Sequence, residues 1–173
     1  MANPGNFSLT TRGEREIVMS RVFDAPRRLV WDAYTKPELV KQWLLGPDGW
    51  SMPVCQINLT VGGTYRYVWR NNATGNEMGM GGVYREIAPP ERIVVTERFD
   101  QAWYPGEAVG TLVLLERDGK TTMTQTMLYE SREARDAIIK SGMEQGVAAS
   151  YDRLAALVAT TGSHEKEKGA SQS

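Results

Sequence analysis

Cysteine occurs once in this chain, at Cys55, and histidine once, at His164. A lone thiol excludes an internal disulfide, and one imidazole in a polar stretch leaves no cluster with metal-ligand spacing. Net charge is also nearly absent. The 20 basic and 21 acidic residues are interspersed and sum to −1 at pH 7, which gives no electrostatic footprint for nucleic acid or an anionic membrane surface. Long apolar runs are missing, so nothing reads as a membrane span. The opening MANPGNFSLTTRGE lacks the apolar centre of a signal peptide, and the expected location is the cytoplasm. There is no nucleophile elbow, no core histidine and no pair of carboxylates at a telling spacing.

What is present supports one domain: 173 residues, 41% of them hydrophobic, bury a sizeable core but not two comfortable ones. Residues 1–13 read as a flexible polar arm, 14–160 as the domain, and 161–173 (TGSHEKEKGASQS) as a disordered polar tail. The domain opens with a strand over 14–23 that is apolar on both faces. Asp24 is placed to cap a short helix with Leu29, Val30, Ala33 and Tyr34 at helical spacing. Thr35 is placed to cap a second short helix, from Pro37 through Trp43, which stops before Gly46-Pro47.

From Ser51 the apolar period changes to two, giving strands over 52–59, 64–70, 77–87 and 92–99. Tyr65, Tyr67 and Trp69 alternate in the second of these and form an aromatic wall on one face. Gly79, Gly81 and Gly82 soften the third and predict a bend or bulge. The clearest turn signal is Asp118-Gly119, which pairs Arg117 with Lys120, Leu114 with Met123 and Leu112 with Gln125. That register puts Leu112, Leu114, Met123, Gln125, Met127 and Tyr129 on one face and Thr122, Thr124 and Thr126 on the other. Ser131 caps a short helix carrying Ala134, Ala137, Ile138 and Ile139.

The one long helix with a wide apolar stripe runs over 143–159. Met143, Val147, Tyr151, Leu154, Leu157 and Val158 share a face, with Gly146 and Ser150 beside them, while Glu144, Gln145, Asp152 and Arg153 point away. Its natural partner is the inner face of the sheet, and a sheet that curls round such a helix leaves room for a hollow. The fold class is therefore α+β: a curved antiparallel sheet around a long C-terminal helix, with two short helices after the first strand.

Four stretches together, VFDAPRRLVWDAYTKPELVKQWLLGP (22–47), VGGTYRYVW (61–69), GGVYREIAPPERIVVTERF (81–99) and SREARDAIIKSGMEQGVAASYDRLAALV (131–158), carry a family resemblance. They resemble bacterial single-domain members of the family named after the C-terminal domain of the activator of heat shock protein 90 ATPase. The resemblance covers about residues 14–160 and implies membership of the START-like, or birch-pollen-allergen-like, helix-grip superfamily, whose sheet grips a long helix around a cavity. Asn58 and Thr60 depart from the family pattern, which has an acidic and often a basic residue before the double glycine.

Three functions follow from residues and resemblance. The first is a carrier or sensor of a small apolar or aromatic molecule. Its site would comprise Trp43, Trp50, Tyr65, Tyr67, Trp69, Met80, Glu97, Phe99, Trp103, Leu114, Met123, Gln125, Tyr129, Met143, Val147 and Tyr151, which otherwise fill a closed core. The second is a cyclase- or hydrolase-like cavity enzyme using Glu97 as acid or base; Glu97 shares a strand face with Ile93, Val95 and Phe99, and burial there raises a carboxyl pKa. The third, taken from the family name, is a co-chaperone that contacts heat shock protein 90, although this chain has no room for the additional N-terminal domain of the eukaryotic activators. No cofactor or metal is called for, and the state is a monomer or a homodimer.

Overall fold

The computed structural model describes residues 7–101 and 106–171, with side chains through Thr161. Eight strands form one antiparallel sheet in the order β1-β2-β8-β7-β6-β5-β4-β3. They are β1 (Ser8–Arg12), β2 (Glu16–Phe23), β3 (Trp50–Ile57), β4 (Thr64–Asn71), β5 (Glu77–Ala88), β6 (Arg92–Phe99), β7 (Ala108–Arg117) and β8 (Lys120–Leu128). The helices are α1 (Arg27–Thr35), α2 (Pro37–Trp43), α3 (Arg132–Lys140) and α4 (Met143–Ser171). Helices α1, α2 and α4 pack against one another over the inner face of the sheet. This is the α+β helix-grip architecture that the alternating strands and the striped C-terminal helix require.

The β7–β8 register is the one dictated by the Asp118-Gly119 turn: Arg117 opposes Lys120, Leu114 opposes Met123 and Leu112 opposes Gln125. Both turn residues have positive φ, 54° at Asp118 and 75° at Gly119, the backbone of a tight hairpin turn that matches strand twist. The bulge expected at Gly79, Gly81 and Gly82 is not there: pairing runs in register through the glycines, and the break in β5 falls further on, between Tyr84 and Glu86. On the edge strand β3 the break falls between Ser51 and Val54. Pro53 sits inside it and faces solvent, where its missing N–H costs no ladder bond.

Two helix caps differ from the sequence expectation. α1 is capped by Pro26 rather than Asp24 and has no side-chain cap; the free Arg27 N–H donates instead to Glu116 Oε1 at 2.7 Å, a carboxylate supplied by β7. α2 starts after Lys36 with Pro37 in its first turn, and the Thr35 hydroxyl turns back to donate to the Trp31 carbonyl of α1. The Ser131 cap is present, its side chain accepting from the Ala134 N–H at 3.0 Å. Ser131→Ala is expected to lower stability by about 1 kcal/mol, read from the midpoint of a urea unfolding curve.

Both ends of the domain extend further than the sequence reading placed them. Ser8–Arg12, assigned to a flexible arm, pairs with β2 from Ser8 opposite Ser20 to Arg12 opposite Glu16. Phe7 then packs its ring edge-on to Tyr151 at 5.8 Å, which explains why so polar a stretch is held. α4 continues to Ser171, into the segment expected to be disordered. That segment has no proline, and its Glu-Lys-Glu-Lys run consists of good helix formers.

A solid core forms where α1 and α4 meet β2, β7 and β8, with α2 packed on both helices. Phe23, Val30, Val40, Trp43, Leu114, Met123 and Leu154 are each fully buried there. Arg21 on β2 is buried as well, and its guanidinium donates to Asp152 of α4 at 2.6 Å, tying the helix to the sheet. Asp152, expected to face away from the core, therefore has a structural partner.

Candidate functional site

Toward the other end, the sheet curves away from α4 and leaves a cavity of about 680 Å³. One wall is α4, through Met143, Gly146, Val147, Ser150 and Tyr151. Trp43, residues 44–47 and Trp50 close a second side. The sheet supplies the rest: Tyr65, Tyr67 and Trp69 from β4, Met78, Met80 and Tyr84 from β5, and Ile93, Val95, Glu97 and Phe99 from β6. Met19 of β2, Gly110 and Leu112 of β7, Gln125 and Met127 of β8, and Tyr129 complete the sheet side. α4 comes close to the loop after α2 because Gly146 has no side chain; a Cβ there would stand 3.2 Å from Pro47. Ser150 Oγ accepts from the Gly46 N–H at 2.9 Å, and the Arg153 guanidinium donates to the Gly46 carbonyl at 2.7 Å.

The aromatic lining is tethered by its polar atoms. Trp43 Nε1 donates to the Ala33 carbonyl at 2.8 Å, Trp69 Nε1 to the Leu44 carbonyl at 2.7 Å, and the Tyr65 hydroxyl to the Thr96 carbonyl at 2.6 Å. With those donors turned to the backbone, the three side chains offer the cavity mainly ring surface. Tyr65 stands 5.2 Å from Tyr67 and 5.5 Å from Tyr84 between ring centroids, and Tyr67 stands 5.9 Å from Trp69, so β4 and β5 present a continuous aromatic wall. Burial holds the phenols of Tyr34, Tyr67, Tyr84 and Tyr151 above the ordinary tyrosine value, so all four are neutral hydroxyls.

Glu97, half-buried, brings a carboxyl to this surface. Its strand face is inward, as its alternation with Ile93, Val95 and Phe99 implied, and all four line the cavity. Burial pushes its carboxyl up from 4.5 to about 7. Among the described residues, no other Asp, Glu, Lys, Arg or His lines the cavity.

The model of the family described as Activator of Hsp90 ATPase homolog 1-like protein matches residues 24–159. The chain belongs to this family. Solved structures agree with the assignment. A protein from Rhodobacter sphaeroides is 30% identical with a TM-score of 0.83, the match covering 89% of this chain and 98% of that one. A protein from Chromobacterium violaceum is 31% identical with a TM-score of 0.74, covering 83% and 96% of the two chains. The AHSA1-like protein from Aeromonas hydrophila, at 16% identity and a TM-score of 0.65 over 84% of this chain and 94% of its own, shares the fold. Among curated proteins none matches the chain by sequence.

Asn58 and Thr60 build a compact turn ahead of Gly62-Gly63. Thr60 Oγ1 donates to Asn58 Oδ1 at 3.2 Å, and the Asn58 N–H donates to the Thr64 carbonyl at 2.9 Å. Most residues singled out from the sequence meet around the cavity: Trp43, Trp50, Tyr65, Tyr67, Trp69, Met80, Glu97, Phe99, Gln125, Tyr129, Met143, Val147 and Tyr151. Leu114 and Met123 do not. They share the inner face, but they sit two positions nearer the hairpin turn, in the solid core that α1 covers, and each is fully buried. Trp103 lies outside the described residues. Sequence reasoning missed Tyr34, Met78 and Tyr84 as lining residues; Met78 and Tyr84 share the strand parity of Met80, a signal that was available. Among the described residues, no helix is long and apolar enough to cross a membrane.

Proposed function

We propose that this family member binds a small apolar or aromatic molecule in the cavity between the sheet and α4, as a carrier or sensor. The observation that carries this reading is the contrast within one inner face. Near the β7–β8 turn it is packed solid, whereas beside β4–β6 it leaves about 680 Å³ bounded by tethered aromatic rings and methionines. A hollow of that size is in the range of small-molecule sites, and methionine adapts its shape to irregular ligands.

The test is a titration with the neutral fluorophore N-phenylnaphthylamine, whose emission rises in apolar surroundings. Saturable binding at one site per chain is expected. Val147→Trp, which places an indole in the cavity from a half-buried position on α4, is expected to weaken that binding by at least about tenfold. Emission that never saturates, or an unchanged affinity in the variant, overturns the reading.

A second reading, a cavity enzyme, rests on Glu97, because a carboxyl held at about 7 is suited to both giving and taking a proton at neutral pH. It requires a molecule that is chemically converted by the wild-type protein and not by Glu97→Gln. Conversion at equal rates in both proteins would dismiss it.

A further inference from the structure

Glu97 makes no hydrogen bond or ion pair with any described residue, although hydrogen-bonded carboxylates are common elsewhere on the sheet, as in Arg66–Asp100 and Arg70–Glu77. The titratable groups beside it are Tyr65 and Tyr67 of β4, Tyr84 of β5, Tyr129, which continues the row of Glu97 and Ala108 past β7, and, beyond the tyrosines, Cys55 of β3. None of them is cationic. Burial lifts the Cys55 thiol to about 11 and holds the phenols of Tyr67 and Tyr84 above the ordinary tyrosine value, so these three stay neutral while Glu97 titrates. Tyr65 pairs with Gly82 of β5, and its hydroxyl donates to the carbonyl of Thr96, the residue before Glu97, so its ring reaches across the glycine to β6. Aromatic faces attract cations and do nothing to balance an anion.

This constellation is incomplete in a specific way. An isolated carboxylate among ring faces lacks a positive charge, and a cation placed there would meet both the carboxylate and the rings. A carboxylic acid ligand would set two acids together in an apolar space, and a wholly apolar one would leave Glu97 without a partner. Resting on the cavity reading above, we propose that the ligand is a lipophilic amine: an apolar or aromatic body filling the hollow, with one ammonium group paired to Glu97 beside Tyr65 and Tyr67. Below neutrality the empty site holds a proton on Glu97, and entry of the ammonium displaces that proton to solvent. Amine affinity therefore rises with pH as Glu97 loses its proton, up to the point where the amine loses its own.

Phenylbutylamine, phenylbutanol and phenylbutanoate share one body and differ in the head group, so their displacement of N-phenylnaphthylamine isolates the charge. The amine is expected to bind at least about tenfold more tightly than the alcohol at about pH 8, with the acid weakest, and the preference to shrink toward about pH 6. In Glu97→Gln the ratio of amine to alcohol affinity should fall to within about twofold. Calorimetry at about pH 6 in buffers of different ionisation enthalpy should show release of close to one proton per amine bound. Equal affinities for amine and alcohol in the wild type, or a preference that survives in Glu97→Gln, would overturn the inference while leaving the cavity reading intact. A wild-type protein that does not bind the fluorophore overturns both.

Discussion

Trp43→Ala is expected to cost about 3–5 kcal/mol. The indole is 1% exposed and stands at the junction of α1, α2 and α4. Its ring lies 4.8 Å from Tyr34, edge-on, and 6.4 Å from Tyr151 of α4, so truncation removes contacts to two helices at once. Its Nε1 donates to the Ala33 carbonyl in the last turn of α1, one of the groups that a helix end leaves without an internal partner. Alanine thus loses apolar burial and orphans a backbone acceptor. Trp43→Phe separates the two effects, keeping most of the ring contact and losing the hydrogen bond, with an expected cost of about 1–2 kcal/mol. Urea unfolding of both variants measures the difference; an alanine variant within about 1 kcal/mol of wild type would mean that the neighbouring helices close over the vacated space.

Glu97→Gln is expected to change stability in the opposite direction, and only above a certain pH. The carboxyl stands at about 7 in the folded protein against 4.5 for an ordinary glutamate. Between those values the folded protein binds more protons than the unfolded chain, so stability falls as pH rises through the window and levels off above it. The full shift corresponds to a little over about 3 kcal/mol, and solvent reaching the half-buried carboxyl brings the expected effect to about 2–3 kcal/mol. Glutamine has no such titration. The variant should match the wild type near pH 4 and be more stable by about 2–3 kcal/mol near pH 8. Parallel stability-against-pH curves for the two proteins would show that Glu97 ionises as an ordinary surface carboxylate does.

The sequence was most legible where local chemistry leaves little choice. Asp118-Gly119 set the register of β7 and β8, and period-two alternation put Tyr65, Tyr67 and Trp69 on one buried face. Ser131 could be read as a cap because its hydroxyl acts on a residue three positions away. Asp24 and Thr35 had the right chemistry as well, yet a carboxylate from Glu116, distant in sequence, satisfied one helix start and a proline in the first turn served the other. Such long-range substitution leaves no local trace. The same limit applied to Leu114 and Met123. Parity placed them on the inner face with Leu112 and Gln125, but which part of that face is filled by α1 and which stays open depends on how three helices cross the sheet. β1 went unrecognised because its polar, exposed strand is held by pairing with β2 and by Phe7 against Tyr151, a contact 144 positions apart in the chain (151 − 7).

The backbone tethers on Trp43, Trp69 and Tyr65 also bear on molecular recognition. A side chain already bonded to a carbonyl has given up its rotameric freedom during folding, so little conformational entropy remains to be lost when a guest arrives. The wall formed by these rings is therefore preorganised. On the carrier reading proposed above, discrimination among guests along it would rest on their contour rather than on new hydrogen bonds, and adaptation to an imperfect guest would fall to Met78, Met80, Met127 and Met143, whose thioether chains can move without breaking a tether.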